Sequence, residues 1–135
     1  MGVLIDTSVL IAFERGRLDV SRYITDAGDE EFFISAITAS ELLHGVHRAR
    51  EPAVRSRRAA FIEGILERFP VLPIDLRAAR VHAQLWADLA SSGRLIGPHD
   101  LWLAAQAVCE GIGIATENVR EFRRVPGLVV EHWSS

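Results

Sequence analysis

The chain has 135 residues, 49% of them hydrophobic and 24% charged, with a formal net charge of −3. That length fits a single domain, residues 1–135, which buries roughly two thirds of the surface its unfolded form exposes and needs no staples. The acidic balance excludes a nonspecific, charge-driven nucleic-acid binder, and apolar runs this short and this broken by charge exclude a membrane span.

The pattern alternates strand and helix from Val3 onwards. "VLID" (3–6) reads as strand one, an apolar run ending on Asp6. Thr7 or Ser8 then caps a helix through "SVLIAFER" that stops at Gly16. A helix through "VSRYITDA" ends at Gly28, and "EFFIS" (Glu31–Ser35) is strand two. "ITASELLHGVHRA" places Ile37, Leu42, Val46 and Ala49 on one helical face, and after Pro52 a further helix runs from about Ala53 to Arg68. Around that junction fall Arg48, Arg50, Arg55, Arg57 and Arg58. All 15 basic residues of the chain are arginine. Such a face suits phosphates or a partner's carboxylates, or else is a solvated helical surface.

Pro70 and Pro73 bracket "VL", a short strand three, and Asp75 caps the amphipathic "LRAARVHAQLWADLAS", closed by Gly93. Gly97-Pro98 starts the most apolar helix, "HDLWLAAQAVCEG". Its Cys109, the one cysteine, cannot form an intramolecular disulfide and reads as a small buried hydrophobe. With no basic, apolar leader pattern, the expected compartment is a reducing cytoplasm. "IGIAT" is strand four and "LVVEHW" strand five. Short buried strands between helices imply an α/β fold, a mainly parallel central sheet of about five strands flanked by helices.

In such folds ligands bind beyond the carboxyl ends of the strands. Asp6 ends strand one, Glu41 lies in the first turns after strand two, and Asp100 opens the helix before strand four. After strand four comes "TENVREF", with Thr116, Glu117, Asn118 and Glu121. Each acid has an ordinary use as a helix cap or a first-turn acid, and His99 beside Asp100 reads as a surface histidine. Converging together, however, carboxylates repel unless some are protonated or cations sit among them. An oxygen-only donor set favours a hard ion, Mg²⁺ or Mn²⁺, and the chemistry such ions perform is phosphodiester hydrolysis.

The blocks "VLIDTSVLIAFERG", "ISAITASELLHGV", "IGPHDLWLAAQA" and "IATENVREFRRVPGLVVEHW", in that order and over essentially the whole chain, resemble PIN-domain proteins, and among them the VapC-type toxins of bacterial toxin–antitoxin pairs. The resemblance implies a PIN-domain-like fold and a Mg²⁺- or Mn²⁺-dependent endoribonuclease cutting RNA such as tRNA or rRNA. It also implies a homodimer and inhibition by a small cognate antitoxin. On the matching positions Asp6, Glu41 and Asp100 would be catalytic metal ligands, and Asn118 would take the fourth position with Glu117 and Glu121 as nearby substitutes. Thr7, Ser8 and Thr116 would orient ligands or water. Arg15, Arg17 and Arg94 lie near the expected carboxyl edge and are candidates to hold RNA. An antitoxin would place a basic residue among the acids and an apolar helix in a groove, with Leu10, Phe13 and Leu18 either lining that groove or packed in the core. Two other classes compete. A catalytically silent binding protein would keep the fold but is disfavoured by the retention of all three acids. A phospho-receiver module wants paired acids after strand one and a lysine after the last strand, and the chain has neither.

Overall fold

The computed structural model describes residues 2–134. Strands β1 (Gly2–Ile5), β2 (Glu31–Ser35), β3 (Val71–Leu72), β4 (Gly113–Thr116) and β5 (Val130–His132) form one sheet. Its order is β3-β2-β1-β4-β5, and every pairing is parallel. Around it lie α1 (Thr7–Glu14), α2 (Val20–Asp26), α3 (Ala36–Arg48), α4 (Pro52–Arg68), α5 (Leu76–Ser91), α6 (Pro98–Glu110) and α7 (Val119–Phe122). The receiver alternative ends here, because that fold has a different strand order, 2-1-3-4-5. Among the described residues no helix is long and apolar enough to cross a membrane.

Strand residues alternate between two cores, as a pleated ribbon with both faces covered must. Val3 and Ile5 join the first, under α1 to α4, with Val9, Leu10, Leu18, Leu42, Val46, Ile62 and Ile65. Leu4 and Ile114 join the second, under α5 to α7, with Leu85, Leu89, Leu101, Leu103 and Phe122. Leu10 and Leu18 are therefore core residues, while Phe13 packs edge-on against Phe61 at 5.6 Å.

Local chemistry sets most element ends. Asp19, Ser35 and Asp75 cap α2, α3 and α5 by accepting hydrogen bonds from Arg22 N, Ile37 N and Ala78 N. Pro52 and Pro98 occupy the first turn of α4 and α6, where a missing N–H costs nothing. Gly111 ends α6 with φ +66°, a left-handed conformation that disfavours any side chain, and so turns the chain into β4. Arg55, at the α3–α4 junction, donates from Nε and Nη2 to Ala49 O at 3.0 and 2.7 Å. It staples the end of α3, so the arginine cluster is in part structural.

Several boundaries differ from the sequence reading. Asp6 lies just past β1 at the N-cap position of α1, and α1 begins at Thr7. β5 is shorter than "LVVEHW", spanning Val130–His132; beyond it the Trp133 N–H still donates to Thr116 O at 3.0 Å while its ring stacks on Tyr23, centroids 4.6 Å apart. The four-residue α7 follows β4 where no helix is expected from the sequence.

Candidate active site

Strand order reverses between β1, whose next strand lies on one side, and β4, which arrives on the other. The register pairs Ile5 with Ala115, and the Asp6 N–H donates to Ala115 O at 2.9 Å, so Asp6 and Thr116 emerge side by side. This is the crevice where parallel sheets bind ligands.

Asp6 occupies an N-cap position without making a side-chain cap bond. Its Oδ2 instead accepts from Ser8 Oγ at 2.7 Å and from the buried Thr116 Oγ1 at 2.8 Å. The two hydroxyls are fixed in turn, since Glu117 N donates to Ser8 Oγ and Asn118 N donates to Thr116 Oγ1. Each hydroxyl thus spends its hydrogen on the carboxylate and its lone pair on the backbone. Asp6 is 5% exposed, and burial pushes its carboxyl up, against those hydrogen bonds. Among the described residues no cationic group comes within 4.0 Å of it.

The other acids surround that point. Asp100, in the first turn of α6, is pushed up to about 7, first by burial, then by the charge of Asp6, by a hydrogen bond with Glu121, and by the charges of Glu121 and Glu41. Glu41 Oε1 accepts from Thr7 Oγ1 at 2.8 Å, and that hydroxyl lies 3.1 Å from Thr38 Oγ1. His99 Nδ1 stands 3.3 Å from Glu41 Oε2.

The positions after β4 separate. Asn118 is exposed, and its Nδ2 lies 3.5 Å from Glu121 Oε2. Glu117 turns to Arg17, 3.5 Å away. Glu121 is thus the group against Asp100, and Asn118 reaches the acids through it. Arg94 is exposed ahead of α6 and pairs with none of these acids among the described residues. Sequence reasoning missed Thr38, although it lies one turn before Glu41 on the same helical face. It also placed His99 on the surface without its contact to Glu41.

Among the described residues, no three His, Cys, Asp or Glu side chains stand close enough to enclose an ion by themselves. The chemistry of the donor set nonetheless fits a small hard cation. Mg²⁺ and its like take one or two carboxylates and fill the other positions with water and substrate phosphate. A buried carboxylate without a counter-charge among the described residues, next to one pushed up to about 7, is a donor set that such a cation would neutralise.

A family model for the PIN domain matches residues 3–128. The chain is 36% identical over 130 residues to Ribonuclease VapC1 of Rickettsia felis, covering 96% of this chain and 95% of that one. It is also 36% identical over 131 residues to the tRNA(fMet)-specific endonuclease VapC of Shigella flexneri, covering 97% of each. Among solved structures it is similar to the DNA-bound VapBC of Salmonella typhimurium, with a TM-score of 0.88 at 32% identity and 98% of each chain covered.

Proposed function

The chain belongs to the PIN-domain family, and from that premise we propose that it is a divalent-metal-dependent endoribonuclease, the toxin of a pair restrained by its own antitoxin. Ribonuclease activity and an antitoxin partner are supported by VapC relatives that match nearly end to end and by a neighbouring structure of a VapBC complex. The observation that carries the catalytic reading is Asp6: buried at the strand switch point, oriented by two hydroxyls, and without a cation beside it among the described residues.

Asp6 and Asp100 would hold the ion, with Glu41 and Glu121 behind them. Bound there, Mg²⁺ or Mn²⁺ would neutralise charge on the scissile phosphate and supply a reactive water. The chain's own groups prepare that site. Ser8 and Thr116 aim the Asp6 carboxylate, Thr7 aims Glu41, and the helix N-terminus under Asp100 favours negative charge on it. The overall acidity of the protein is no obstacle to an RNA substrate, because phosphate affinity is local to the ion and to nearby arginines. The same reading expects a homodimer, and Leu76 and Trp86 are large apolar side chains left exposed on α5 for such a contact.

The test is cleavage of total cellular RNA by the purified, antitoxin-free protein with Mg²⁺, with Mn²⁺ and with EDTA. Discrete fragments that disappear with EDTA are expected. Cleavage that survives chelation would overturn the metal assignment, and no cleavage with any metal would leave a silent binding protein.

Thr116→Val keeps the shape but removes the Thr116–Asp6 bond of 2.8 Å and strands the Asn118 N–H. It should weaken Mn²⁺ binding and RNA cleavage by about 10- to 100-fold, the usual cost of losing a group that orients a metal ligand. Calorimetric titration with Mn²⁺ reads the first effect directly. Thr116→Ser, which restores the hydroxyl, should recover most of both.

A further inference from the structure

A groove of about 300 Å³ opens between α1, α3 and α4, and one of its walls is Glu41, a member of the acid site. Arg15, His44, Arg48 and Arg58 line it with Glu14. The three arginines are not equivalent. Arg58 is committed to the fold, its Nε 3.7 Å from Glu14 Oε1 and its Nη1 donating to Gly45 O at 3.3 Å. Arg15 at the end of α1 and Arg48 in the last turn of α3 are exposed, and among the described residues neither has a carboxylate within 4.0 Å. Two uncommitted guanidinium groups thus lie along a channel leading out of a carboxylate cluster.

From this geometry, and resting on the ribonuclease reading, we infer that the groove is the path of single-stranded RNA leaving the cleavage site, with Arg15 and Arg48 each holding a backbone phosphate beside the scissile one. From Glu41 to Arg48 the α3 axis advances about 10 Å. A stacked strand rises about 3.4 Å per nucleotide, so that distance matches two or three nucleotides next to the cut. Guanidinium groups hold phosphate bidentately and read no base, so these contacts set position and affinity without setting sequence. Glu14 and Arg58, held to each other across the groove wall, keep α4 against α1 and so keep the channel open.

The experiment compares wild type with Arg15→Ala/Arg48→Ala, using Arg80→Ala on the exposed side of α5 as a charge control. Steady-state cleavage of total cellular RNA is measured with Mn²⁺. Binding of a short fluorescent single-stranded RNA of mixed sequence is measured against salt, in an Asp100→Asn background. The double variant should raise KM about tenfold or more with kcat little changed. Its log–log salt slope should be shallower by about 1.4, for two phosphates lost from a single strand. Lysine at both positions should restore most of the slope but less of the affinity. A double variant with unchanged KM and slope overturns the inference while leaving the ribonuclease reading intact. So does one that handles RNA normally but escapes the cognate antitoxin, which would assign the groove to that protein. A wild-type protein that cleaves no RNA with Mn²⁺ overturns both.

Discussion

Asp100→Asn should lower RNA cleavage by on the order of a thousandfold or more, beyond the 10- to 100-fold expected for a residue one shell away from the ion. The same change should make the metal-free protein more stable above neutral pH. Burial and the charges of Asp6, Glu121 and Glu41 raise the folded-state value of Asp100 from 3.8 to about 7, whereas in the unfolded chain it titrates normally. Between those values the folded protein binds more protons than the unfolded one. The stability that this carboxyl contributes is therefore full below about pH 4, declines as pH rises to about 7, and is lost above. Asp6, also raised, adds to the slope in the same direction. An amide at position 100 removes most of that penalty, trading function for stability as strained sites do. Thermal melts from pH 4 to pH 8 without divalent cation, run on both proteins, test the claim. A wild-type melting point that is flat or rises over that range would overturn it, and Mn²⁺ should offset the decline in wild type alone.

Phe122→Ala should cost about 3–5 kcal/mol of stability, the usual price of removing a fully buried phenyl ring. The ring is 0% exposed and shares its core with Leu4, Leu101, Ile114 and Val125. Since whole domains are worth only about 5–15 kcal/mol, this is a large fraction of the total. A drop of roughly 10 °C or more in melting temperature should follow. The loss should also reach the site, because Glu121, the neighbour of Asp100, stands on the helix that Phe122 anchors. Below its melting point the variant should cleave RNA more slowly than wild type. Phe122→Leu, with less volume lost, should fall between.

That helix shows where the sequence stops being readable. α7 has four residues, too few for an apolar period, and it exists because Phe122 is buried by elements far away in the chain. The long elements were legible for the opposite reason: the cap at Asp75, Gly97-Pro98 at a helix start and short apolar strands between turn residues are written locally. The alternation of strand and helix gave the fold class, and the position of acids at strand ends gave Asp6, Glu41 and Asp100. Strand order was not available, since it rests on pairings such as Leu4 with Ile114 that no local pattern encodes. The same limit applies to the choice among the residues after β4. Asn118 and Glu121 are three positions apart, and only the turn of α7 decides that Glu121 faces Asp100. Likewise Thr38 and His99 look ordinary until α3 and α6 set them beside Thr7 and Glu41.

The pairing of β1 with β4 has a consequence in time. Of the five strands of the sheet, β1 is made first, and its hydrogen-bonded neighbour β4 is made fourth. Thr116, which orients Asp6 across 110 positions of chain, must leave the exit tunnel before the site exists at all. A chain that stops short of β4 therefore carries Asp6, Glu41 and even Asp100 without the hydroxyl that orients Asp6.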